Sequence, residues 1–191
     1  FNSLATQTYP NYETILVDNA STDQSHELAS SILPTLKVVR NSTNLGYAGG
    51  VNSGLPFVTG NFVVVQNTDT LVDDAWLTSM MHVMLSHRHV GAVTPQIVLD
   101  KDRTRLNAMG MVIHLSGLGF NRGLNTLRPT RSLAPHRVAG VHGASFLIRK
   151  NLLESLGGMN SHSFMYYDDV DLSWMVNLTG YQIYCAPNAV V

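Results

Sequence analysis

The sequence predicts an α/β domain with a mostly parallel central sheet flanked by helices, and three observations predict it. Short apolar runs of strand length alternate with segments of helical periodicity, the pattern of strands joined by crossover helices. Each of the first three runs ends on acidic or amide residues: Asp18 and Asn19, then Asn41 and Asn44, then Asn67 and Asp69. Ligands of open α/β sheets lie beyond the carboxyl ends of the strands, so these endings direct attention to function. The length, 191 residues, is that of one domain, with room for an insertion.

The first strand is Thr14-Ile15-Leu16-Val17, bounded by Pro10-Asn11 and by Asp18-Asn19. Ser21-Thr22-Asp23-Gln24 then reads as a capping box, with Leu28 and Ile32 on one face of the helix that follows and Pro34 ending it. Residues 36–40 and 62–66 are two further strands. Between them the glycine-rich stretch 45–54 opens into a short helix. The spacing of Leu77, Met80, Met81, Met84 and Leu85 predicts a helix over 75–85. Segment 101–137 differs in composition, holding seven of the twelve basic residues and scattered glycines, and is read as an insertion. Residues 144–148 read as a strand, 150–156 as a short helix and 181–186 as a last strand stopped by Pro187.

Hydrophobic residues make up 45% of the chain and charged residues 13%, which describes a packed domain and not a disordered one. A net charge of −1 provides no field for drawing in nucleic acid. The single cysteine, Cys185, excludes an internal disulfide and Cys-pair metal motifs. No run approaches the ~18 apolar residues of a membrane span. The chain opens on Phe1, without a charged start and apolar run, and reads as a piece of a longer one.

Three pairs of acid or amide residues have the spacing that lets two side chains face one cation: Asn67 with Asp69, Asp100 with Asp102, and Asp169 with Asp171. Asp69 closely follows an apolar strand, where a divalent ion could bridge its carboxylate to a diphosphate. Asp100 and Asp102 alternate with Lys101 and Arg103 and read as a solvated turn. Asp168, Asp169 and Asp171 open a helix with Leu172, Met175 and Val176 as its buried stripe. Plain interaction with the helix dipole is one reading. Partial shielding by Phe164-Met165-Tyr166-Tyr167, raising one pKa toward general-base duty, is the other. The glycines of 44–54 could bring backbone amides close to a phosphate, or serve packing alone. They match neither the dinucleotide fingerprint nor the P-loop. Most of the eight histidines read as surface residues, and His142, beside Gly143, is kept as a supporting contact.

Six segments read in order carry a resemblance: Gln7-Thr8-Tyr9-Pro10-Asn11-Tyr12, 17–23, 44–54, Gln66-Asn67-Thr68-Asp69, 143–147 and Tyr167-Asp168-Asp169-Val170-Asp171-Leu172. Together they closely resemble family 2 glycosyltransferases over nearly the whole chain, with the asparagine–glycine loop most similar to the rhamnosyltransferase-like branch. The resemblance implies a GT-A fold whose first strand lies ahead of Phe1, with residues 1–100 as a donor-nucleotide half and 101–191 as an acceptor and catalytic half. It also implies a nucleotide-diphosphate sugar donor, a glycan or lipid-linked acceptor, Mg²⁺ or Mn²⁺, and inversion at the anomeric carbon. Asp18 and Asn19, the loop residues Asn44, Gly46, Gly49, Gly50 and Asn52, and Asn67 would surround the donor. Asp69 would hold the metal, and Asp169 would be the base, with Asp168 where the family has Glu. Met175 departs from the arginine many members carry there. A role in cell-surface polysaccharide synthesis, at the cytoplasmic face of the membrane through segments outside residues 1–191, is the corresponding expectation. A catalytically silent sugar-nucleotide binding module is the competing one, and a two-carboxylate glycosidase, which leaves the glycine loop unexplained, is weaker.

Overall fold

The computed structural model describes residues 1–162 and 164–191. A short helix α1 (Asn2–Ala5) precedes β1 (Ile15–Asp18), which crosses through α2 (Ser25–Ile32) to pair in parallel with β2 (Lys37–Arg40). Helix α3 (Gly46–Gly54) and a 3₁₀ turn lead to β3 (Phe62–Gln66), and α4 (Trp76–Ser86) follows. The chain continues through β4 (Val90–Leu99), β5 (Asp102–Ala108), β6 (Met111–Ile113), β7 (Gly119–Asn121), β8 (His136–Val138) and β9 (Ser145–Arg149). It closes with α5 (Lys150–Ser155), α6 (Asp168–Leu178) and β10 (Gln182–Val190).

The main sheet has the order β3-β9-β4-β10-β8, with β5 added on β4. Only β4–β10 in this sheet is parallel, and β3–β9, β9–β4, β10–β8 and β4–β5 are antiparallel. The central sheet is therefore mixed where a mostly parallel one is expected. The cause is β9, which returns after the long 101–144 excursion and inserts between β3 and β4 in the opposite direction. Because β3 pairs with β9, both halves of the chain contribute to the main sheet and to the apolar layers on its two faces.

Strand β9 shows how that core is divided. Its Phe146 and Ile148 face one side, against Leu152, Leu172 and Val176, while Leu147 faces the other, against the Met80 and Met84 layer of α4. Alternate side chains of a strand point to opposite faces, so three consecutive apolar residues serve both layers.

Several local expectations need correction. Helix α2 starts at Ser25, with no side-chain cap, because the Asp18 carboxylate captures the Ser21 amide at 2.8 Å and makes 18–21 a turn. Its buried face is Ala29 with Leu33 and not Leu28, which is 64% exposed. The central strand β4 has no counterpart in the sequence reading. Gly91 and Pro95 disguise it, since both weaken a strand signal, yet Gly91 is where a Cβ would meet Leu152 and Tyr181 within 3.0 Å. Pro187 does not end the last strand. Strand β10 runs on to Val190 with a register shift after Ala186, and an irregularity of that kind accommodates a residue without an N–H. The basic segment is partly paired structure, for it supplies β5, the β6–β7 hairpin and most of β8.

Candidate active site

A cleft of about 670 Å³ runs between β1 and β3, which are not hydrogen-bonded to each other. It follows both strands from Thr14 and Asn61 to Asn19 and Asn67, and Asp69 stands on its rim. At that carboxyl end the backbone of Gly143 and Ala144 ties three segments together. The Asn67 amide donates to the Ala144 carbonyl at 2.9 Å, the Tyr47 hydroxyl donates to the Gly143 carbonyl, and the Gly143 amide donates to Asp169 Oδ2 at 2.8 Å. Segments far apart in sequence are held by the backbone of two adjacent residues.

Tyr47 enters from α3, whose start is positioned by Gly46. Gly46 has φ +73°, and a Cβ there would stand 2.2 Å from the Phe164 carbonyl oxygen, which itself accepts the Tyr47 amide at 3.1 Å. No other residue tolerates both the left-handed conformation and that approach. Burial, followed by the charges of Asp169 and Asp168, pushes the Tyr47 hydroxyl well above the ordinary phenol range. Tyr47 is thus a neutral donor, and the sequence reading assigned it no role.

Asn19 organises the loop from the other side. Its Nδ2 donates to Asn44 Oδ1 and to the Gly46 carbonyl, both at 2.9 Å, and its Oδ1 accepts from Asn41 Nδ2 at 3.1 Å and the Leu45 amide at 3.0 Å. Of the eight residues expected around a donor, Asn19, Gly46, Gly50 and Asn67 line the cleft, and Asp18, Asn44, Gly49 and Asn52 make contacts beside it. Each of these contacts is specific. Asn44 Oδ1 caps the loop through the Gly46 amide at 2.9 Å. A Cβ at Gly49 would press on Leu45 Cβ at 2.8 Å. Asn52 grips the Met159 backbone through both ends of its amide, at 2.7 and 2.8 Å.

Asp18 is buried and ionised. The amide and hydroxyl of Ser21 lower its pKa most, and the Arg40 guanidinium, 2.9 Å from Oδ2, adds to this.

The acids at the start of α6 differ in surroundings. Asp169 is half-buried, with Oδ2 on Gly143 and Oδ1 on the Val170 amide at 2.9 Å. Asp168 is 5% exposed, and burial raises its pKa, with Asp169 and Asp171 adding in the same sense. Its Oδ1 has no partner among the described residues. Asp171 is exposed and Met175 is 40% exposed, so the buried stripe of α6 is Val170, Leu172, Ser173 and Val176. The four residues 164–167 are all more than half exposed. Tyr166 and Tyr167 adopt left-handed φ of 73° and 66°, turning the chain into the helix.

His142 lies behind this cluster. Its Nδ1 accepts the Ala144 amide at 3.1 Å, and burial lowers its pKa against the opposing pull of Asp169. Both facts describe a neutral imidazole that supports the Gly143–Ala144 backbone.

Among the described residues no group of three or more His, Cys, Asp or Glu could cage a metal ion. A lone exposed carboxylate such as Asp69 suits an ion that arrives on a diphosphate and takes most of its other ligands from phosphate and water.

Residues 1–157 match the family described as Glycosyl transferase family 2. The N-acetylglucosaminyl-diphospho-decaprenol L-rhamnosyltransferase of Mycobacterium tuberculosis (strain ATCC 25618 / H37Rv) is 24% identical over 212 residues, covering 99% of this chain and 68% of that protein. The poly-beta-1,6-N-acetyl-D-glucosamine synthase of Staphylococcus epidermidis is 24% identical over 191 residues, covering 99% of this chain and 44% of that one. Among solved structures, GalNAc-T7 with UDP, GalNAc and Mn²⁺ superposes with a TM-score of 0.77 at 16% identity, over 98% of this chain and 39% of its own. The likeness in structure shows the GT-A fold.

Proposed function

The chain belongs to glycosyl transferase family 2, and on that premise we propose that it is an inverting glycosyltransferase. It moves a sugar from a nucleotide-diphosphate donor to a glycan or lipid-linked acceptor in cell-surface polysaccharide synthesis. The observation that carries the reading is the junction at Gly143–Ala144, which brings the Asn67–Asp69 strand end, Tyr47 of the glycine loop and Asp169 to one place.

The donor occupies the carboxyl end of the cleft, against Asn19, Gly46, Gly50 and Asn67. Asp18 supports the base-binding turn through Ser21. Asp69 would hold Mg²⁺ or Mn²⁺, which would supply positive charge to offset that of the leaving diphosphate. Asp169 accepts the proton of the acceptor hydroxyl as its oxygen forms a bond to the anomeric carbon. The bond from that carbon to the diphosphate oxygen breaks on the opposite face, and the configuration inverts. The Gly143 amide aims the Asp169 carboxylate. Asp168, whose pKa is raised by burial, keeps a further negative charge away from the site when protonated.

The length of the cleft supports one further element. With β1 and β3 unpaired on the sides that face each other, an extended strand from ahead of Phe1 fits between them and joins the two sheets. No helix among the described residues is long and apolar enough to cross a membrane.

The test is metal-dependent release of nucleoside diphosphate from a panel of sugar donors, with the anomeric configuration of the product read by NMR. Release with inversion supports the reading. Tight donor binding without turnover, in a chain extended ahead of Phe1, would favour the catalytically silent binding module.

A further inference from the structure

A second groove, of about 610 Å³, is bounded by the β6–β7 hairpin, β8 and the carboxyl half of α6. Its wall is apolar, with Val112, Trp174 and Leu178 respectively 52%, 39% and 69% exposed. Exposed apolar side chains gathered in one place mark a surface that receives a ligand or partner. Arg122 and Arg137 line the same groove, both exposed, and neither is in an ion pair among the described residues. Arg103 and Arg105, from the same basic segment, are by contrast paired with Asp73 and Asp102.

The groove is in line with Asp169. Residues 139–143 run beside α6 in a ladder: the Gly143 amide donates to Asp169 Oδ2 at 2.8 Å, the Val141 amide to Ser173 Oγ at 3.0 Å, and Asn177 Nδ2 to the Ala139 carbonyl at 2.9 Å. Asn177 lines the groove. It lies about 12 Å from Asp169 along the helix axis, at ~1.5 Å per residue. A sugar ring carrying a diphosphate spans such a distance. With its hydroxyl at Asp169, the diphosphate comes level with Asn177, in the groove that Arg122, Arg137 and the apolar wall also line.

We propose that this groove binds the lipid diphosphate of an isoprenoid-linked saccharide acceptor. The proposal rests on the glycosyltransferase reading and deepens it by choosing the acceptor class. Two unpaired guanidiniums suit a diphosphate, to which each can donate two parallel hydrogen bonds. The adjoining apolar surface suits a single hydrocarbon chain, and neither feature suits an uncharged glycan.

Tryptophan fluorescence of the full chain, titrated with farnesyl diphosphate, tests it. Trp76 is 2% exposed, so Trp174 is the reporter. Saturable binding is expected, with inorganic pyrophosphate and farnesol each bound at least about tenfold more weakly. Arg122→Gln with Arg137→Gln should weaken farnesyl diphosphate at least about tenfold, the effect of losing hydrogen bonds to a charged group. Absence of saturation, equal affinity for pyrophosphate alone, or unchanged affinity in the double variant overturns the proposal. So does equal binding to phosphatidylglycerol vesicles free of isoprenoid diphosphate, which would make the surface a general membrane contact. Donor hydrolysis in the same samples separates the two readings. Arginine-dependent farnesyl diphosphate binding without donor hydrolysis upholds the groove and removes the transfer reading, and intact hydrolysis without that binding does the reverse.

Discussion

The Gly143 amide donates to Asp169 Oδ2 at 2.8 Å, and a Cβ added to residue 143 would stand 3.2 Å from that same oxygen. The amide therefore fixes the carboxylate, and the missing side chain leaves it room. This pairing joins the loop before β9 to the first turn of α6, so the proposed base is held by backbone and not by another titrating group.

Asp169→Asn should leave donor and metal affinity nearly intact while lowering turnover by a factor of about 10² or more, because a base acts only as the new bond forms. Calorimetry with donor and Mn²⁺, alongside single-turnover rates, measures both. Normal turnover would remove Asp169 from the role and make Asp168 the next residue to test.

Gly143→Ala should lower turnover about tenfold, since a small displacement of a positioned group slows chemistry out of proportion to its size. Its melting temperature should stay near that of the parent, as φ at this glycine is not in the left-handed range. A variant that loses stability and activity in parallel would show that the contact serves folding alone.

Asp69→Ala should abolish Mn²⁺-dependent donor binding, because no cluster of further ligands exists among the described residues to replace that carboxylate. Isothermal titration with donor, with and without metal, is the measurement. Unchanged affinity would transfer attention to Asp100 and Asp102.

Two carboxylates should give the stability profile opposite slopes. Glu13 accepts from Lys37 Nζ at 2.7 Å and from the amides of Thr59 and Gly60, and its pKa is lowered from 4.5 to about 2, with Lys37 the largest cause. It stabilises the fold above pH 4.5, and that contribution is lost as pH falls toward 2. Glu13→Gln should cost about 1 kcal/mol at neutral pH, a value reduced because the carboxylate is exposed and screened by solvent. In urea melts across pH, Glu13→Gln should fall below the parent as pH rises from 2 to 4.5, and equal stability throughout would remove the carboxylate from this role.

For Asp168 the sign reverses. Burial raises its pKa, so the folded state holds the proton more tightly than the unfolded chain and stability falls as pH rises through the raised value. Asp168→Asn should be about 1 kcal/mol more stable than the parent at neutral pH, because a buried charge with an unpartnered oxygen is removed. No gain at neutral pH would mean that the carboxylate finds a partner in solution.

Residue patterns alone were enough for much of this protein. Alternating apolar runs and helical periodicities determined β1, β2, β3, α3, α4, α5 and α6 to within a few residues, because each bears its own local signal of burial. The order of the six motifs determined the family, since Asn67-Thr68-Asp69 and Asp168-Asp169 keep their chemistry whatever surrounds them. Strand β4 escaped because its signal is tertiary: Gly91 and Pro95 are tolerated where neighbours pack against a bare Cα or pair beside a missing N–H. The direction of β9 depends on a long excursion that leaves no periodic mark. Which amides face the cleft was likewise undecidable from residue type, since Asn19 and Asn52 are chemically alike. One bridges Asn41, Asn44 and Gly46 at the cleft, and the other clamps the Met159 backbone. Only the folded chain decides this, because a hydrogen bond is assigned by where its partner lies in space, and those partners are up to 107 positions apart in sequence.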